Sequence, residues 1–229
     1  MSQIAPPHPK TTGQLLSRID AGGGFQLVTL DVGAVAQSHA IAGQYVWIEL
    51  NGAGGYFALA GRTGGGAWQV VVKPDRGAAL ELARAENGAA VAVTAAMGGG
   101  YPCDALRGAG VVVAMPVSAI AAARGAMLQR LDDGDAARTT LLLGARERAE
   151  VPLARELDDF RAAGAEVVIC LSREPASGEG GYADGYVQDV ARERAGAASV
   201  AYFVAGQTRA ETGVRALAIA LSARVYSNY

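Results

Sequence analysis

VVVAMPVSAIAAARGAML, residues Val111 to Leu128, opens with an unbroken apolar run of strand length, meets a proline, and continues into an alanine-rich stretch. An apolar run without alternation fits a strand buried on both faces, and the alanines, methionine and leucine that follow favour helix. The segment reads as strand, turn and helix, the arrangement in which many α/β proteins place a nucleotide-binding loop. Its turn holds no glycine, although the chain has 31 glycines in 229 residues.

The same rhythm repeats downstream. TTLLLGA (Thr139–Ala145) precedes PLARELDDFRAAG (Pro152–Gly164), EVVICLS (Glu166–Ser172) precedes a long loop and GYVQDVARERAG (Gly185–Gly196), and SVAYFVAG (Ser199–Gly206) precedes AETGVRALAIAL (Ala210–Leu221). Apolar strands separated by amphipathic helices predict a doubly wound parallel sheet, an α/β domain over 107–229. Upstream, from about Phe25, the runs are short and alternating: FQLVTLDV, QYVWIEL, YFALAG, AWQVVVK and AAVAVTA, with turn clusters such as NGAGG and TGGG between them. That spacing predicts an antiparallel β-barrel over 13–106, with a short helix in GAALELARAENG (Gly77–Gly88). Pro6, Pro7 and Pro9 mark 1–12 as a loose arm.

The formal charge of −2, with Lys and Arg scattered along the chain, provides no basic patch for nucleic acid or an anionic membrane. No apolar run approaches the roughly 18 residues of a membrane span, and MSQIAPPHPKTT lacks the features of a secretion signal, so a cytoplasmic location is expected. Cys103 and Cys170 are too few for a four-cysteine iron–sulfur cluster and make no disulfide framework. Redox chemistry would fall to a bound organic cofactor. His39 reads as a solvated loop residue, the carboxylates of ARELDDF as a polar helix face, and neither a Ser–His–Asp set nor metal-ligand spacing emerges.

Several local motifs occur in one order along both halves: AGQYVWIEL (Ala42–Leu50), GYFALAG (Gly55–Gly61), VVVKPDRGAAL (Val70–Leu80), MGGGYPCDALRG (Met97–Gly108), LLLGARERAE (Leu141–Glu150), LSREP (Leu171–Pro175) with GYVQDV (Gly185–Val190), and YFVAGQTRAE (Tyr202–Glu211). Together they resemble the ferredoxin–NADP reductase superfamily in its short form without an iron–sulfur domain. The resemblance implies a barrel that holds FAD and an α/β half that holds NAD(P)H. It also implies electron transfer to a redox-partner protein or a small-molecule substrate.

On the flavin side, the resemblance places Tyr56, Phe57, Ala58 and Leu59 along the strand that meets the flavin. Val72, Lys73, Gly77, Ala78 and Ala79 fall at the strand end and helix start that contact its phosphates, and Gly98, Gly100 and Tyr101 in a turn beside the ligand, with Tyr101 as a cover. Gly55, Phe57 and Ala58 stand where the family has arginine, tyrosine and serine. Loss of one buried arginine–phosphate pair removes about 1.5–3 kcal/mol, which weakens flavin binding without abolishing it.

On the nicotinamide side, the family's GGTGIAPLR lines up with PVSAIAAAR (Pro116–Arg124), matching Ser118, Ile120 and Arg124 and losing every glycine. Pro116 removes a backbone donor, while Val117 and Ala119 add β-carbons where the ligand would pass, so the turn is expected to be filled by side chains and the helix to start packed. Ala205 and Ala210 replace the family's cysteine and methionine. Gly144, Arg146, Ser172, Arg173, Tyr186, Gln188, Gly206 and Gln207 remain as nucleotide contacts, with Ser172 and Arg173 matching the pair that grips a 2′-phosphate in NADP-binding relatives. Tyr229 is a terminal aromatic able to stack on flavin. Two functions follow: a flavin-dependent oxidoreductase with weakened or lost NAD(P)H use, or a partner-dependent or non-catalytic binding module that keeps the fold, with or without flavin. No residue is assigned a catalytic role.

Overall fold

The structure, a computed structural model, describes residues 8–177, 180–194, 199–205 and 209–228. In the first half, β1 (Thr11–Gly22), β2 (Phe25–Asp31), β3 (Tyr45–Leu50), β4 (Ala53–Ala58), β5 (Ala67–Val72) and β6 (Ala90–Val93) pair in the order β4-β3-β6-β1-β2-β5. Every pairing is antiparallel. A bond from the Ala60 N–H to the Gln69 carbonyl, 2.7 Å, links the two end strands just past β4. Alternate residues point inward, so Val28 and Leu30, Val46 and Ile48, Trp68 and Val70, and Val91 and Val93 fill the barrel, with Leu82 of α1 (Gly77–Arg84) closing it.

The strand β1 escaped the alternation reading and begins at Thr11, within the stretch the prolines marked as an arm. It exposes Leu16 and Ile19 and buries Leu15, and its pairing with β2 shifts register between Leu15 and Ser17. A bulge of this kind destroys the period of two that sequence reading relies on.

In the second half, β7 (Gly110–Pro116), β8 (Thr139–Ala145), β9 (Glu166–Leu171), β10 (Tyr182–Asp184), β11 (Ser199–Val204) and β12 (Arg224–Ser227) form an all-parallel sheet in the order β10-β9-β8-β7-β11-β12. The boundary at 106/107 lies in the segment joining β6 to β7. Side chains of β7 divide between the faces: Val111, Val113 and Met115 meet α2 (Ile120–Asp132) and α3 (Ala154–Ala162), while Val112 and Ala114 meet α4 (Val187–Arg194) and α5 (Arg209–Ala220). Burial of both faces explains why these strands lack polar alternation. The edge strands β10 and β12, three and four residues long, carry too little pattern to be read from sequence.

Helix α2 is buried on almost every side, from Ile120 to Leu128, because it lies between the parallel sheet and the barrel. Among the described residues no helix is long and apolar enough to cross a membrane, and no group of three His, Cys, Asp or Glu is placed to hold a metal ion. Both cysteines are free and buried.

His39 is not solvated: only 2% of it is exposed, and its Nε2 has no hydrogen-bond partner among the described residues. Burial lowers its pKa to about 4 from an ordinary 6.5. The unfolded chain therefore binds the extra proton first as pH falls, and the fold loses stability between pH 6.5 and about 4. Urea unfolding across that window should show a greater loss for the wild type than for His39→Gln. Equal losses would place the acid sensitivity elsewhere.

Candidate functional site

A cavity of about 320 Å³ opens at the C-terminal edge of the parallel sheet. The chain leaves β7 for β8 on one side and returns to β11 on the other, so the edge beside β7 is the crevice where open α/β sheets take ligands. Ser118 after β7, Gly144 and Arg146 at the end of β8, Ser172 after β9, and Tyr186 and Gln188 at the start of α4 all line it. The barrel contributes Lys73 and Phe25. Lys73, expected at a flavin phosphate, thus joins the nucleotide-side residues.

The turn that lacks glycine has an ordinary backbone. Pro116 is extended, a single 3-10 turn covers Val117–Ala119, and no residue there has a positive φ. Val117 and Ser118 line the cavity, whereas Ile120 is buried. Gly144 is needed for packing: a β-carbon on it would stand 2.6 Å from Val187 Cγ2. Here the bare backbone accommodates a valine of α4, a partner more than forty residues away that no local pattern reveals.

Charge in the cavity is mixed. The Arg146 guanidinium pairs with Glu150, whose Oε2 also accepts the Arg146 backbone N–H at 3.1 Å. The Arg146 hydrogen bond, helped by the charge of Lys73, holds the Glu150 carboxyl below its usual range. The Lys73 ammonium lies 5.4 Å from the centre of the Phe25 ring. Ser172 Oγ donates to the Ala145 carbonyl at 3.4 Å. Arg173 is exposed and outside the cavity wall, with its backbone N–H bonded to the Arg146 carbonyl. Glu150 was missed in the sequence, although its four-residue spacing from Arg146 is an ion-pair signal.

The flavin-side residues are arranged differently from expectation. Tyr56 is 55% exposed and stands edge-on to Tyr45 and Trp47. Phe57 turns inward, packing on the barrel core, and its ring lies 3.3 Å from where a β-carbon on Gly55 would be, with Ala78 at 3.7 Å. A side chain at Gly55 would therefore start in contact with Phe57 and with Ala78 of α1. Leu59 and Val72 are buried, Ala58 packs on the interdomain core, and Ala79 packs on the barrel core. Gly77, with φ +54°, is open on its side-chain side.

Backbone groups expected to serve a flavin are engaged within the protein. The Leu59 N–H bonds the Gln44 carbonyl and the Ala60 N–H the Gln69 carbonyl, while the Ala60 carbonyl accepts Arg124 Nη1 at 2.7 Å. Tyr101 does not cover a ligand: it is buried, stacks on Phe203 with centroids 4.7 Å apart, and donates to the Val204 carbonyl. Gly98 and Gly100 admit protein backbone, since β-carbons on them would lie 2.4 Å from the Asn228 carbonyl oxygen and 2.7 Å from that of Ala42. For a flavin, the residues present offer the exposed Tyr56 ring and the open side of Gly77, and they supply no cationic side chain at Gly55 for its pyrophosphate. Gly206, Gln207 and Tyr229 lie outside the described residues.

The architecture is the ferredoxin–NADP reductase-like fold, a flavin-type barrel followed by a nucleotide-type α/β domain. Similar solved structures include the Amycolatopsis cytochrome P450 reductase GcoB, at 19% identity and TM-score 0.78 over 96% of this chain and 70% of that one. The flavohem-like FAD/NAD-binding domain of nitric oxide dioxygenase from Vibrio cholerae matches at 15% identity and TM-score 0.75, over 95% and 98% of the two chains. A ferredoxin NADP+ reductase from Neisseria gonorrhoeae with bound FAD and NADP matches at 11% identity and TM-score 0.75, over 96% and 99%. No protein-family profile and no curated protein sequence matches the chain.

Arg124 joins the two halves, donating to Ala60 and Gln69 of the barrel half and, through Nε and Nη2, to Glu156 of α3. Arg124→Met is expected to lower stability by about 2 kcal/mol in urea unfolding, because Glu156 and the Ala60 carbonyl lose a charged partner. Adding Glu156→Gln should cost less than the sum of the two single changes. Full additivity would show that the pair is not coupled.

Proposed function

We propose that the chain is an oxidoreductase of the flavin-reductase type that binds a nicotinamide nucleotide weakly in the sheet-edge cavity and takes flavin as an exchangeable partner. The observation that carries this reading is the convergence of Ser118, Arg146, Ser172, Tyr186 and Gln188 with Lys73 of the barrel on one cavity. Nucleotide sites occupy this edge in open α/β sheets, and hydroxyl, amide and cationic groups suit a sugar–phosphate chain. Weak binding follows from Pro116 and Val117, which replace backbone donors and bare turns with side chains.

Flavin exchange follows from the exposed Tyr56 ring combined with the lack of a cationic side chain at Gly55 for the pyrophosphate. A stacking face contributes roughly 0.5–1.5 kcal/mol beyond burial, far short of what a charge-assisted phosphate cradle adds to it. A second reading, a non-catalytic binding module, is favoured by Val117 and Ala210 in the cavity wall. Hydride transfer between nicotinamide and flavin is the reaction class that separates the two.

The test is oxidation of NADH and NADPH, followed by absorbance with and without added riboflavin, FMN or FAD. A protein purified without colour, with oxidation that saturates in added flavin, is the expected result. Lys73→Ala should weaken nucleotide binding about tenfold, equivalent to ~1.4 kcal/mol. Binding without flavin-stimulated oxidation selects the non-catalytic module, a tightly retained flavin overturns the exchangeable role, and no nucleotide binding overturns both readings.

A further inference from the structure

We infer that Glu150 is a specificity-determining residue that turns this cavity toward nucleotides with a free ribose 2′-hydroxyl and against those bearing a 2′-phosphate. The inference rests on the nucleotide-binding reading of the cavity. It runs opposite to the Ser172–Arg173 motif, whose arginine stands outside the cavity wall.

Among the described residues, the charged side chains that line the cavity are Lys73, Arg146 and Glu150. Arg146 pairs with Glu150 through Nη2, and the same carboxylate accepts the Arg146 backbone N–H, so Glu150 holds the residue once by its side chain and once by its backbone. Arg148, in the same loop, points elsewhere: it pairs with Glu174 and lies over the Tyr182 ring. The lining therefore sums to a single net positive charge, matched to a diphosphate bridge more than to an added phosphomonoester.

A 2′-phosphate brings a further charge of about −1.5 to −2 at neutral pH. A phosphate meeting the remaining N–H donors of Arg146 would be brought beside the Glu150 carboxylate, a like charge. A 2′-hydroxyl has no such conflict, because it can donate to Glu150 while Arg146 stays paired.

The test is calorimetric titration of the full chain with NADH and NADPH, and with 5′-AMP and 2′,5′-ADP as probes of the adenosine half. Wild type is expected to bind the forms lacking the 2′-phosphate about tenfold more tightly. Glu150→Gln should erase or reverse that ratio through a gain for the 2′-phosphorylated ligands, with an unchanged melting temperature. Arg146→Gln, which leaves Glu150 unpaired, should widen the ratio, and Lys73→Ala should weaken both ligand classes alike. A wild type that prefers NADPH, or a ratio unmoved by Glu150→Gln, overturns the role of Glu150 and leaves the cavity reading intact. No binding of any nucleotide by any variant overturns the cavity reading, and this inference with it.

Discussion

Helix α2 is pressed between two surfaces, and Arg124 is the group that makes this tolerable. A guanidinium only 9% exposed must find acceptors, and it finds them on both sides: Ala60 and Gln69 in the barrel, Glu156 on α3. One residue along, Gly125 lets the helix come so close that a β-carbon there would stand 3.1 Å from the Leu59 carbonyl oxygen. The alanines at 121, 122 and 123 serve the same closeness. All three are buried in the same core, so a larger residue at any of them would overpack it, which is itself destabilising.

This contact also explains the character of the site. In the strand end that follows β4 the Leu59 and Ala60 N–H groups are satisfied by barrel carbonyls, and the Ala60 carbonyl by Arg124 of α2. What remains accessible is the Tyr56 ring, on the same face of β4 as Ala58 but beyond the reach of the helix. At the C-terminal edge of the sheet a cavity stays open, walled by the turn at Val117–Ala119, the first residues of α4, the loop carrying Arg146 and Glu150, and Lys73 of the barrel. The two ligand positions suggested by the sequence have thus fared differently within one packing arrangement.

The division of the chain and both sheet types were legible because their periodicities differ: alternation in the barrel, continuous apolar strands in the parallel sheet. The residues of LSRE, GYVQ and GAR could be grouped by motif order, and the fold brings Arg146, Ser172, Tyr186 and Gln188 to one cavity. Three things were not legible. The strand β1 hides behind its bulge, the inward turn of Phe57 depends on the empty place at Gly55, and burial of His39 and Tyr101 depends on long-range packing. Tyr101 is the clearest case, since a tyrosine after three glycines looks like a ligand cover, and only the position of Phe203 shows that the partner is protein.

The interdomain core has a further consequence. Phe25, Leu27, Ala60 and Val71 of the barrel belong to the same apolar cluster as Val113, Met115, Met127 and Phe203 of the α/β half. Two halves that are separate by topology are therefore one unit by cooperativity. Either alone would present a broad apolar face to water, so neither is suited to exchange as an independent module, and melting is expected to be a single transition.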